Sequence, residues 1–149
     1  MIDSSDWRPW RLYKRVLPQH TDHAGVMWHG AYLNWLEEAR VEALSQVGWS
    51  YKELSEQGYE MPVVSLKINY ISALLHGEEV LLESCSLPRE LARWPWLTKF
   101  FRDGVLVANA KVDLVLVEKF ATGNRLIRNV PNQISSHLLK LQLGEIIVS

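Results

Sequence analysis

Residues 19–40 read QHTDHAGVMWHGAYLNWLEEAR. The stretch through His29 has no period and contains Gly25, so it reads as a loop. The residues after it are helical. Over residues 31–47, Tyr32, Leu36, Ala39, Ala43 and Val47 recur at spacings of three and four, and Leu33 and Leu44 broaden that apolar stripe. Glu37, Glu38, Glu42 and Gln46 fall largely off it, and Gly48 fits the left-handed position that ends a helix. One carboxylate and three imidazoles (Asp22 with His20, His23 and His29) therefore run directly into an amphipathic helix. A metal site, a catalytic loop and an ordinary turn are the readings open at this point.

Working outward, residues 10–18 place Leu12 and Val16 among basic residues and predict a first strand stopped by Pro18. On the other side, SYKE at 50–53 is a capping box that starts a second, short helix ending at Gly58. In VSLKINY, Val64, Leu66, Ile68 and Tyr70 alternate with polar residues, which predicts a strand with one buried face. A turn at HGEE, 76–79, leads to a strand over 80–87. Another strand spans 93–101, where Pro95 implies an edge or a bulge. Asp103-Gly104 signals a tight hairpin, and 105–117 form a long strand with Leu106, Ala108, Ala110, Val112, Leu114 and Leu116 on one face. TGN at 122–124 is a turn, and a last helix starts near Pro131. Consecutive strands on short turns are antiparallel. A helix with one apolar stripe needs such a sheet to bury it, which gives a two-layer α+β domain.

The 149 residues suit one domain, with 48% hydrophobic and 22% charged residues. A net charge of −1 gives no global attraction to nucleic acid or to an anionic membrane surface. The apolar runs are too short to span a bilayer, and MIDSSDWRPW lacks the pattern of a signal peptide. The lone Cys85 allows no intrachain disulfide, so a reducing cytoplasm is the expected compartment. Seven tryptophans supply large apolar area, either for core and rim packing or, if exposed, for an interface or an aromatic-binding groove.

The chemistry narrows by residue type. His20, Asp22, His23 and His29 are plausible ligands, but their spacing matches no zinc signature and the only cysteine is remote, so no metal is expected. There is no G-x-S-x-G elbow and no glycine-rich phosphate loop. Asp22 lies just before a helix start, whose unpaired N–H groups and partial positive charge suit an acyl oxygen that gains negative charge. A carboxylate beside such a site can attack an acyl carbon or take a proton from water. Gly25 permits a loop conformation and a close backbone approach that a side chain would obstruct. The alternative is that Asp22 merely caps the loop or pairs with a histidine.

These residues resemble the signature of hotdog-fold acyl-CoA thioesterases, specifically the 4-hydroxybenzoyl-CoA thioesterase-like group. The matching positions are Asp22, Gly25-Val26, Trp28-His29, Tyr32-Leu33 and Trp35-Leu36. MPVVSLKINYISALLHGEEV and VPNQI resemble later parts of the same pattern, and the resemblance extends over about residues 10–140. It implies an α+β hotdog fold, in which a five-stranded antiparallel sheet wraps around a long central helix in a single domain spanning 1–149. It also implies a homodimer or homotetramer with active sites at subunit interfaces. Asp22 takes the place of the catalytic nucleophile or general base, and the backbone N–H of His29 that of the carbonyl donor. His20 and His23 are left to loop packing or support.

By the same resemblance Gly25, Trp28, Tyr32 and Ser65 are substrate-binding candidates, Tyr32 against a core role. Arg89 and Arg93, beside Lys99 and Arg102, are candidates for the CoA phosphates, against an ordinary solvated charged face; PRELARWPW departs from the family's usual turn there. Coenzyme A is part of the substrate, so no separate cofactor is implied. The expected activity is hydrolysis of an acyl-CoA, including aromatic ones such as 4-hydroxybenzoyl-CoA or 1,4-dihydroxy-2-naphthoyl-CoA. The alternative is a non-catalytic hotdog protein that binds acyl groups or a partner.

Overall fold

The computed structural model describes residues 8–144. Most of the stretch read against a signal peptide, and the outermost ends of the 1–149 span, lie outside the described residues. Strand β1 (Trp10–Arg15) is followed by a 3-10 turn (Pro18–His20), helix α1 (His29–Gln46) and helix α2 (Tyr51–Glu56). Then come β2 (Tyr59–Glu60), β3 (Val63–Tyr70), β4 (Glu79–Ser86), β5 (Arg93–Arg102) and β6 (Val105–Val115). The chain continues through β7 (Val117–Phe120), β8 (Gly123–Leu126) and α3 (Asn132–Leu143). Five strands form one antiparallel sheet in the order β1-β4-β5-β6-β3, which gives the expected α+β class. β2, β7 and β8 make a small second sheet that the strand patterning did not predict.

Local chemistry fixes most boundaries. Ser50 Oγ accepts the Glu53 N–H at 3.2 Å and starts α2. Asp103 and Gly104 both have positive φ, +50° and +75°, as a two-residue hairpin requires. The apolar side of α1, with Tyr32, Trp35, Leu36, Ala39 and Ala43, packs on the sheet through Trp94, Trp96, Phe100 and the inward residues of β6.

Three expectations need correction. Pro95 lies in β5, a central strand, not at an edge. It is tolerated because its carbonyl accepts from Leu87, one residue past the end of β4, so the missing N–H points where that neighbour strand is ending. Leu33 is exposed rather than part of the core stripe, whereas Trp35 and Arg40 are buried. In β3 the register shifts between Val63 and Ser65, so Val63 pairs with Leu114 and Val64 is the extra residue.

Candidate active site

The loop after β1 is closed by its own backbone. Thr21 and Met27 form an antiparallel bridge, and the Trp28 N–H donates to the His20 carbonyl at 3.1 Å. Within that closure the Asp22 N–H donates to the Val26 carbonyl at 2.8 Å, and Gly25 N–H returns to the Asp22 carbonyl at 3.0 Å. Asp22 Oδ1 accepts from Ala24 N–H (2.9 Å) and Val26 N–H (3.2 Å). The capping alternative is therefore realised for one carboxylate oxygen; the other has no hydrogen bond among the described residues, and the side chain is exposed. Gly25 has φ +79°, which a side chain resists. A Cβ there would meet nothing within 4 Å, so the backbone angle and not a close approach requires glycine within one chain. Residues 74–76 hold the loop from the far side, with Met27 N–H donating to Leu74 O and His76 N–H to Gly25 O.

The bridge sets Asp22 one residue from closure on one side and the start of α1 two residues from it on the other. That start carries no side-chain cap, since Trp28 occupies the cap position. The N–H groups of His29 and Gly30 therefore have no acceptor inside the helix, and they are the donors an acyl oxygen would use. The Trp28 ring lies over Gly30: a Cβ at Gly30 would fall 2.1 Å from it. It also meets the His29 ring edge-on at 5.4 Å.

From His29 an open groove runs between α1 and the helix-facing side of β3. A cavity of about 280 Å³ is lined by His29, Leu33, Leu66, Ile68 and Tyr70. A second, of about 150 Å³, shares Leu33 and Leu66 and continues to Val63 and Arg40. A larger hollow of about 610 Å³, between Tyr13, Arg15, Glu79 and Phe101, includes none of the predicted site residues and is not the candidate site.

The other candidates sort by position. Tyr32 is buried against Tyr70 and Phe100. Burial, reinforced by Tyr70, pushes its hydroxyl up to about 12, so it keeps its proton at neutral pH. Ser65 pairs opposite Asp113 on the sheet face turned away from α1, so within one chain it does not line the groove. His20 is structural: Nδ1 accepts the Leu17 N–H at 3.0 Å and its ring meets Trp35 at 5.3 Å. His23 is exposed. Among the described residues no three His, Cys, Asp or Glu side chains are grouped to hold a metal ion.

Arg89 donates to the carbonyls of Leu91 and Arg128 and lies over Trp94. Arg93 pairs with Asp113 at 3.3 Å. Arg93 opens β5, roughly 30 Å along the strand from Arg102, and Arg89 lies in the turn before it. It is the Arg102 end that neighbours the Asp22 loop, through Ala73 O (2.8 Å) and Glu78 (3.1 Å). In one chain the loop that carries Asp22 runs directly into the start of α1, where His29 lines the groove, whereas Arg89, Arg93 and Ser65 lie elsewhere on the sheet. Residue patterning missed Arg40 and the groove role of Leu33 and Leu66. The signal for Arg40 was present, because residues 29, 33, 36 and 40 repeat at helical spacing.

Similarity to known proteins fixes the family and the fold. A family model described as the thioesterase-like superfamily matches residues 16–136. The Synechocystis sp. protein named "Putative esterase sll0410" is 36% identical over 130 residues, covering 86% of this chain and 77% of that one. The solved structure of a DHNA-CoA thioesterase from Staphylococcus aureus has a TM-score of 0.78 at 23% identity, over 90% of this chain and 91% of that chain. Slr0204, a 1,4-dihydroxy-2-naphthoyl-CoA thioesterase from Synechocystis, gives 0.77 at 18%, over 89% and 97%. At these identities the two structures establish the hotdog fold. The chain belongs to the thioesterase-like superfamily.

Proposed function

We propose that this protein hydrolyses acyl-CoA thioesters to free acid and CoA, with Asp22 as the reacting carboxylate. The observation that carries this reading is Asp22 itself. One oxygen is fixed by two backbone N–H groups, the other has no partner among the described residues, and the loop that carries them leads into an uncapped helix start. The fixed oxygen sets the carboxylate's orientation, and the free one meets the acyl carbon or an attacking water. The N–H of His29, with that of Gly30, receives the carbonyl oxygen as it becomes an oxyanion. If Asp22 attacks directly, the C–S bond breaks, CoA leaves as the thiolate, and water hydrolyses the resulting anhydride. If Asp22 acts as a base, it takes the proton of the water that attacks. The groove along α1 and β3 receives the acyl group, past Trp28 and Tyr70.

The assembly in this reading is a homodimer or homotetramer, with the free edge of β3 laid against a second copy. Arg89 and Arg93 then serve the CoA phosphates of a site in another copy, since they lie far from Asp22 in their own. Acyl-CoAs with aromatic groups, including 4-hydroxybenzoyl and 1,4-dihydroxy-2-naphthoyl, belong in the first panel beside short and long aliphatic ones. The test is thiol release from that panel by the natural protein and by Asp22→Asn. The asparagine oxygen still accepts from Ala24 and Val26, so the loop survives while the carboxylate is gone. Unchanged hydrolysis by the variant removes Asp22 from the mechanism. Binding without hydrolysis by both proteins supports the non-catalytic alternative.

A further inference from the structure

Arg40 lies on the same face of α1 as His29, Leu33 and Leu36, where the groove reaches its second cavity. It is 8% exposed. It makes no hydrogen bond or ion pair among the described residues, and its Nε is buried without an acceptor. Glu37 lines the same cavity but is not paired with it. A guanidinium is always charged. Its Nε is an enclosed donor without an acceptor, which is costly, while the two Nη groups keep solvent access. The other walls here, Leu33, Leu36, Val63, Leu66 and Val112, offer it no acceptor side chain.

We infer that Arg40 binds a carboxylate at the far end of the acyl group, and so selects acyl-CoAs that carry one. This rests on the acyl-CoA reading above. The cavity at Arg40 adjoins the cavity that begins at His29, sharing Leu33 and Leu66 as walls. Eleven residues of helix separate His29 from Arg40, about 16 Å along the axis. Long helical side chains lean toward the N-terminus, which shortens that gap. The span excludes acetyl and propionyl groups from reaching Arg40 and suits a medium-length chain or a fused aromatic. The apolar walls hold the body of such a group, and the planar fork of the guanidinium holds its acceptor in two parallel hydrogen bonds. A second copy at β3 pairs along the strand's edge, whereas this groove lies on the strand's helix-facing side.

The experiment uses matched ligands: octanoyl-CoA against suberyl-CoA, its counterpart with a terminal carboxylate. Hydrolysis is read as kcat/KM, and binding as Kd of the two non-hydrolysable thioether analogues by calorimetry. The natural protein is expected to favour the carboxylate member at least tenfold by both measures. Arg40→Met is expected to bring the ratio to about one, through a raised KM for suberyl-CoA. Arg40→Lys is expected to keep part of the preference. A ratio unchanged in Arg40→Met overturns the inference. So does an Arg40→Met protein that falls apart into single chains by light scattering, since Arg40 would then hold a second copy. If thioethers discriminate through Arg40 but neither thioester is cleaved, the hydrolytic reading fails and this one stands. If both are cleaved without discrimination, the reverse holds.

Discussion

The two edges of the main sheet are made of similar residues and end in opposite states. On β1, the helix-facing Trp10 and the following Val16 are 4% and 0% exposed. Leu12 and Lys14 between them are half-buried, whereas on β3 the helix-facing Val63, Leu66 and Tyr70 are 45%, 41% and 53% exposed and Ile68 alone is half-buried. β1 is covered because the chain returns over it. The Trp10 indole donates to the Leu141 carbonyl of α3 at 2.8 Å, and Lys14 pairs with Glu38 of α1 at 3.0 Å. Nothing among the described residues returns over β3 in the same way. Alternation along a strand therefore tells which way a side chain faces, not whether anything meets it. The uncovered edge is the one that adjoins Asp22 and the helix start, which is where a ligand or a second copy has room.

The largest expected effect tests whether the open side is the working side. Asp22→Asn should lower kcat by about 10²- to 10⁴-fold, the range for loss of a positioned acid or base. Circular dichroism and thermal unfolding should be nearly unchanged. Next, Leu82→Ala under the buried sheet should cost about 2–5 kcal/mol in denaturant unfolding, whereas Leu66→Ala on β3 should cost well under that. Equal losses would mean that β3 is covered as fully as β4, and the contrast between the edges would fail.

A third effect is in the alkaline range. The Tyr32 hydroxyl sits at about 12 when folded, against an ordinary value of 10.0. Between those values the unfolded chain releases the proton and the folded chain keeps it. The contribution is fully present below pH 10 and is lost as pH rises toward 12. Tyr32→Phe should flatten that fall in the urea midpoint. The smallest effect is Gly25→Ala. With φ at +79° and open space around it, the cost should be only the backbone strain, about 1 kcal/mol.

Local signals were legible in the sequence and relational ones were not. The α1 stripe, the Ser50 cap and the Asp103-Gly104 hairpin depend on a few neighbouring residues, and each is found where the residues place it. The Asp22–His29 loop was legible because its residues resemble a known pattern and its closure is short-range. Ser65 was assigned to the acyl side, but it shares the Asp113 face beyond an extra residue at Val64 that alternation does not reveal. Pro95 argued for an edge, and only the end of β4 explains its place in the middle of the sheet. Leu33 repeats correctly for the core, yet it faces β3 across an open gap. Arg40 drew no reading from its type and is buried by its place on α1.

The ring of Trp28 resting on Gly30 also bears on inheritance. With 2.1 Å between that ring and any Cβ at position 30, a side chain there requires the exposed Trp28 ring to swing aside or to be replaced. A relative that carries a side chain at 30 must have moved or shrunk the residue at 28, and with it the shape of the entrance beside the first turn of α1. A substitution at 30 alone therefore reshapes this entrance by displacing Trp28, whereas Trp28 can be replaced with Gly30 left in place.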